Sequence, residues 1–157
     1  MRVALASDHG GFVQKAPLAA YIESLGHEVV DFGCDSEERC DYPDFADLAA
    51  RALARGEVDR AVLICGTGIG MALTADKIPG VRAAAIQSLE FVELFRAHNN
   101  GNCLCISGRF STIEMNQRII RSFFETPFEG GRHEGRVAKI MREDDPAFPG
   151  VVEGDVR

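Results

Sequence analysis

The sequence predicts an α/β fold, a parallel sheet covered by helices on both faces. Short apolar runs alternate along the chain with segments of helical period. The first and third runs end in polar or glycine-rich turns, Ser7-Asp8-His9-Gly10-Gly11 and Gly66-Thr67-Gly68-Ile69-Gly70. The 157 residues suit one domain with a sizeable core. Such alternation calls for right-handed crossovers, and ligands then sit past the carboxyl ends of the strands, near the point where strand order reverses.

Val3 to Ala6 reads as the first strand. Phe12 to Leu25 follows as a helix, with Phe12, Leu18, Ile22 and Leu25 on its apolar face and Gly26 as its stop. Pro17 marks either a kink or a first turn there. His27 to Phe32 is the second strand, residues 33–44 an acidic loop containing Tyr42-Pro43, and Phe45 to Arg55 an alanine-rich helix. Ala61 to Ile64 is a buried third strand with Cys65 at its end, followed by a helix reaching about Lys77. Val81 to Ile86 is the fourth strand, Leu89 to Ala97 a helix, and Cys103 to Ser107 the fifth strand. Ile113 to Phe124 and Arg132 to Arg142 complete the helices, separated by Gly130-Gly131. Residues 1–142 form the single expected domain, and 143–157 an extended acidic tail.

The segment Cys65-Gly66-Thr67-Gly68-Ile69-Gly70-Met71 organises the chemistry. A helix N-terminus offers unpaired N–H groups and about half a positive charge. Glycines admit a bound group close to the backbone, and a thiol in that field ionises more readily. The turn therefore reads as an anion pocket with a base or nucleophile at its edge, or as a tight turn over an inert buried cysteine. A dinucleotide fingerprint needs its third glycine at position 71, which is Met71. A phosphate loop needs a closing Lys-Ser/Thr pair, and a cysteine-phosphatase loop an arginine at position 71; neither is present.

A net charge of −7 argues against a nucleic-acid surface, and no run approaches the ~20 apolar residues of a membrane span. Five cysteines without a C-x-x-C pair, and an N-terminus that begins directly as a strand, point to reduced thiols in a cytoplasm. Cys103 and Cys105 share one strand face and read as core; Cys34 and Cys40 fall in a loop and receive no role. His98 is either a helix-end histidine meeting the dipole or an acid–base group. Arg132 and Arg136, spaced i, i+4 in the first turns of a helix, oppose its dipole, which suggests a bound phosphate or, alternatively, a solvated basic face partly balanced by Glu134.

Asp8-His9-Gly10-Gly11, Asp41-Tyr42-Pro43, Cys65 to Gly70, His98-Asn99, Gly108-Arg109 and Gly130-Gly131-Arg132-His133-x-x-Arg136 occur in this order. Together they resemble the type B ribose-5-phosphate isomerases, grouped with the galactose-6-phosphate isomerase subunits, over residues 1–142. The resemblance implies a Rossmann-like three-layer αβα sandwich with a five-stranded parallel sheet. It implies a homodimer or dimer of dimers, with sites at the subunit interface, and an aldose–ketose isomerisation without metal or cofactor. Cys65 would be the base, Thr67 and the N–H groups of Gly66, Gly68, Ile69 and Gly70 would stabilise an enediolate, and His98 would open the sugar ring. Asp8, His9, Tyr42 and Asn99 would hold hydroxyls or the ring oxygen. Arg109, Arg132 and Arg136, assisted by His133, would take the phosphate, some from the partner chain. A second branch of the family uses a glutamate at the position of Met71, so the resemblance is to the cysteine branch. A six-carbon phosphosugar and a non-catalytic sugar-phosphate module are the competing expectations.

Overall fold

The computed structural model describes residues 1–151. The strands are β1 (Arg2–Ser7), β2 (Glu28–Asp31), β3 (Arg60–Cys65), β4 (Ala83–Ala85) and β5 (Cys103–Ser107). The helices are α1 (Phe12–Ser24), α2 (Tyr42–Ala54), α3 (Ile69–Ala75), α4 (Leu89–Asn99), α5 (Ile113–Glu125) and α6 (Glu134–Arg142), with a 3-10 turn at Gly131–His133. The five strands form one sheet in the order β2-β1-β3-β5-β4, and every pairing is parallel.

Side chains on β3 alternate between two cores because successive residues of a strand face opposite sides. Val62 and Ile64 pack with α1, α4 and α5 residues such as Leu18, Val92, Ile120 and Phe123. Leu63 and Cys65 face the alanine-rich α2 and α3, with Ala46, Ala50, Met71 and Ala75. The result is the three-layer αβα sandwich expected from the sequence. From β1 the chain steps outward to β2 and then crosses back to β3, so strand order reverses between β1 and β3. Ser7 lies opposite Ile64, and Cys65 opposite Ser107. The turns after β1, β3 and β5 therefore share one end of the sheet.

Several boundaries differ from the sequence reading. Tyr42 and Pro43 open α2 instead of ending a loop, because proline suits a first helical turn, where its missing N–H costs nothing. Helix α4 runs two residues beyond Ala97 and is capped by Asn100 in the left-handed region, φ 47°, so His98 and Asn99 occupy its last turn. Pro17 sits inside α1 without ending it. The fourth strand shrinks to three residues at the sheet edge, where only one neighbour supplies hydrogen bonds. Arg132 belongs to the 3-10 turn and Arg136 to α6, so the two do not share one regular helix face. Cys34 is buried and Cys40 half-buried.

The beginning of the tail folds back on the domain. Asp144 Oδ2 accepts the Gly80 N–H at 2.8 Å, and Arg142 stacks over Phe148 at 4.9 Å. Residues 152–157 of the expected tail lie outside the described residues. Helix α6 buries none of its residues, and Ile140 is 44% exposed on it. Among the described residues no helix is long and apolar enough to cross a membrane.

Candidate active site

Three turns meet at the carboxyl end of the sheet. Asp8 Oδ1 accepts the N–H groups of Gly10 and Gly11 at 2.8 and 3.2 Å, folding the β1 turn back on itself. A Cβ at Gly10 would stand 2.9 Å from the Gly66 nitrogen, and one at Gly108 would stand 2.6 Å from the Gly10 carbonyl oxygen. Only glycine lets the three backbones approach so closely. Ser107 Oγ donates to the Gly66 carbonyl at 2.7 Å, and Gly108 N–H to the Cys65 carbonyl at 2.8 Å, which ties the β3 and β5 turns together.

Behind them lies a polar brace that the sequence reading missed. The buried Asn116 donates to Gln14 Oε1 at 2.7 Å and to the Ser107 carbonyl at 2.9 Å. Gln14 in turn donates to the carbonyls of Gly108 and Ser111, both at 2.9 Å. No spacing rule joins positions 14 and 116, which only folding brings together. Asn116→Ala is expected to lower stability by about 2 kcal/mol in urea denaturation, because it strands buried acceptors.

Within this frame Cys65 closes β3. Its sulfur accepts the Gly68 N–H at 3.1 Å, and Gly68 makes that turn in the left-handed region, φ 80°. Thr67 Oγ1 accepts the Ile69 N–H at 3.3 Å. The N–H groups of Gly66, Thr67 and Gly70 find no hydrogen-bond partner among the described residues, so a fan of donors surrounds the turn. Tyr42 lies against Gly70, where a Cβ would be 2.6 Å from its ring. Arg109 crosses over Gly66, its Cδ 3.5 Å from where a Cβ would stand. His9 Nδ1 is 3.1 Å from the Cys40 carbonyl oxygen, which fixes the imidazole beside the same turn. Asp8, His9, Tyr42, Cys65 to Gly70 and Arg109 thus form one cluster. The cysteine is 4% exposed, with its sulfur under the loop.

The remaining residues form a second cluster at the other end of the sheet. Helix α4 starts beside the first cluster, where Gln87 donates to the Thr67 carbonyl at 3.3 Å. It then runs antiparallel to the strands for 11 residues, roughly 16 Å. It ends at Asn100 to Asn102, where the Asn102 carbonyl accepts the Ala61 N–H at the start of β3. His98 and Asn99 therefore sit at the amino end of the sheet and Cys65 at the carboxyl end. Arg96 fixes this end of α4 by donating to Asn100 Oδ1 at 3.1 Å and to the Gly101 carbonyl. Burial, with Arg60 and Arg82 adding repulsion, lowers its pKa to about 10, so it remains a cation at neutral pH.

His98 stacks on His133, ring centroids 4.1 Å apart and planes within 9°. Arg132 Nε donates to His133 Nε2 at 3.2 Å. Glu129, which no motif marked, lies 3.9 Å from His98 Nε2 and 3.6 Å from His133 Nε2. The ligand atoms of His98, Glu129 and His133 fall within 4.8 Å of one another, a spacing open to a metal ion. The chemistry of this set suits protons and anions better. Arg132 already donates to His133 Nε2, and both Arg132 and Arg136 repel a cation. A hollow of about 650 Å³ between α4 and α5, lined by Leu89, Ala97, Arg118 and Glu129, lies away from Cys65.

Residues 3–140 match the family model described as Ribose/Galactose Isomerase. The chain belongs to the ribose/galactose isomerase family. The family includes ribose-5-phosphate isomerase B of Escherichia coli K12, 40% identical over 139 residues, 88% of this chain and 93% of that protein. The Clostridium thermocellum ribose-5-phosphate isomerase B structure superposes with a TM-score of 0.90 at 38% identity, covering 92% of this chain and 97% of that one. The Mycoplasma genitalium ribose-5-phosphate isomerase B, solved with bound ribulose 5-phosphate, gives 0.86 at 39% identity, covering 91% and 95%. Within a single chain the two clusters stand at opposite ends of the sheet.

Proposed function

We propose that this chain interconverts ribose 5-phosphate and ribulose 5-phosphate through an enediolate, with Cys65 as the base. The observation that carries the reading is the Cys65 turn, a sulfur at a strand end that accepts the Gly68 N–H, in a turn whose Gly66, Thr67 and Gly70 N–H groups find no partner among the described residues. A C–H beside a carbonyl is weakly acidic, so its removal needs a placed base and donors for the oxygen that gains charge. The Cys65 thiolate takes the proton from C2 of the open aldose. A C1–C2 double bond forms, and charge collects on O1 before the N–H groups of Gly66, Thr67 and Gly70. The O2 proton moves to O1, the thiol returns its proton to C1, and the carbonyl now stands at C2. Thr67, Gly68 and Ile69 shape the turn, while Asp8, His9, Tyr42 and Asn99 hold sugar oxygens.

The two clusters meet in this reading only across a subunit interface. A two-fold axis beside the β4 edge brings the carboxyl end of one sheet to the amino end of its partner. His98, Asn99, Arg132, His133 and Arg136 of one chain then complete the Cys65 site of the other. The exposed Leu73, Phe91 and Leu94 on α3 and α4, and Ile140 on an α6 with no fully buried residue, supply apolar surface for that contact. A homodimer, alone or doubled into a tetramer, is the proposed assembly, with a phosphosugar as its ligand and neither nucleic acid nor membrane as a partner. Five free thiols suit a cytoplasmic setting. Residues 1–142 act as the catalytic domain, and the tail stands outside it.

The family model spans both ribose and galactose isomerases, which keeps a six-carbon phosphosugar as the second reading. Purified protein offered ribose 5-phosphate, allose 6-phosphate and galactose 6-phosphate in parallel is expected to favour ribose 5-phosphate by at least tenfold in kcat/KM. Preference for a six-carbon substrate transfers the assignment to the second reading, and silence on all three overturns catalysis.

A further inference from the structure

Arg109 crosses over Gly66 with nothing of its own to hold it there. Its side chain is exposed, and no hydrogen bond or ion pair joins its guanidinium among the described residues. Its aim is therefore set by the backbone of residues 107–111, from which it springs. Two buried amides hold that backbone from behind. Gln14 Nε2 donates to the Gly108 and Ser111 carbonyls, one on each side of Arg109. Asn116 Nδ2 donates to the Ser107 carbonyl and to Gln14 Oε1, which fixes the Gln14 amide in its turn. From within the turn, Ser107 Oγ accepts the Phe110 N–H at 2.9 Å.

Both amides stand where packing alone calls for apolar side chains. Gln14, Leu18 and Ile22 follow one another at helical spacing on the buried face of α1, and Asn116, Ile120 and Phe123 do so on α5. Each stripe turns polar at the end nearest the β5 turn. Burying an amide costs stability wherever an atom goes unpaired, and Asn116 Oδ1 finds no partner among the described residues. An apolar pair could fill the same space. Only donors can fix the carbonyls of Ser107, Gly108 and Ser111.

We propose that Gln14, oriented by Asn116, is a positioning residue for the substrate phosphate, acting through Arg109 by fixing the turn that aims its guanidinium. The role of Arg109 as a phosphate ligand rests on the isomerase reading above; the brace itself does not. A guanidinium meets a phosphate through paired hydrogen bonds, which demand direction as well as distance. A turn released from Gln14 lets Arg109 swing, and the phosphate loses part of its hold. The Cys65 turn keeps its own ties, because Ser107 Oγ still donates to the Gly66 carbonyl and the Gly108 N–H to the Cys65 carbonyl. The loss therefore falls on binding and leaves proton transfer in place.

The test uses the full chain with Gln14→Leu, Arg109→Ala and the two combined. Gln14→Leu is expected to raise KM for ribose 5-phosphate about tenfold with kcat within about threefold of wild type, and to weaken calorimetric binding of inorganic phosphate by the same factor. In the Arg109→Ala background the same substitution is expected to change KM by less than about twofold, because the group it works through is gone. A merely structural role lowers the amount of folded enzyme, and with it the apparent kcat, but leaves KM alone. If Gln14→Leu does not fold, Gln14→Leu with Asn116→Ala removes both amides together and takes the same measurements. A KM within about twofold of wild type in the folded variant, or the full rise persisting in the Arg109→Ala background, overturns the proposal. If wild type and variants isomerise no sugar phosphate while Gln14→Leu still binds inorganic phosphate about tenfold more weakly, the isomerase reading falls and the brace stands.

Discussion

Mixing Cys65→Ala subunits with His98→Asn subunits is expected to restore isomerase activity that neither homodimer possesses. The reason is the separation of the two clusters. His98 ends α4 at the amino end of the sheet, and Cys65 ends β3 at the carboxyl end. No side-chain motion spans about 16 Å, the length of the intervening helix. If each site takes its base from one chain and its acid and arginines from the other, a mixed dimer holds one intact site and one doubly damaged site. Refolding a one-to-one mixture makes half of the dimers mixed, so about a quarter of all sites regain both groups. Activity near one quarter of wild type, measured after co-refolding, is the expected result. Activity no higher than that of the parents, in a mixture shown by mass spectrometry to contain mixed dimers, removes the shared site.

Cys65→Ala is expected to lower kcat by roughly a thousandfold or more while leaving sugar-phosphate binding within a few-fold of wild type. The two effects separate because different groups carry them. In the proposed site the base acts only on the C–H proton, whereas Arg109 and the Arg132–Arg136 segment would take the phosphate. Alanine fits the site without strain, since Cys65 packs among small residues such as Ala46, Ala72 and Cys105. Calorimetric titration with ribose 5-phosphate against Cys65→Ala measures binding where turnover is absent. Substantial residual turnover refutes the base assignment. Loss of binding together with turnover shows the sulfur to be a packing element of the turn.

Much of this was legible in the sequence because it depends on local patterns. Apolar runs of strand length and helical segments between them define the α/β class. Gly66, Gly68 and Gly70 mark the turn after β3 because such turns need conformations and close contacts that only glycine allows. Proline at position 43 signalled a boundary, but its side of the boundary was missed, since a proline reads equally as the end of a loop or the start of a helix. Glu129, Gln14 and Asn116 were not legible. Gln14 and Asn116 meet across 102 residues, and Glu129 is brought to His98 by one backbone bond to Ala97 outside any helix, so no periodic pattern marks them.

By itself the sequence determined the fold class, the thiol at the end of a buried strand, and the histidine and arginines of the second group. These follow from residue type and nearest neighbours along the chain. Only the tertiary structure decided where the groups stand. A helix that returns antiparallel to its strand carries its last turn to the opposite end of the sheet, so His98 and Cys65 part company within one chain. That separation is a property of crossover geometry, set by the length and direction of α4 and invisible to any pattern of residues.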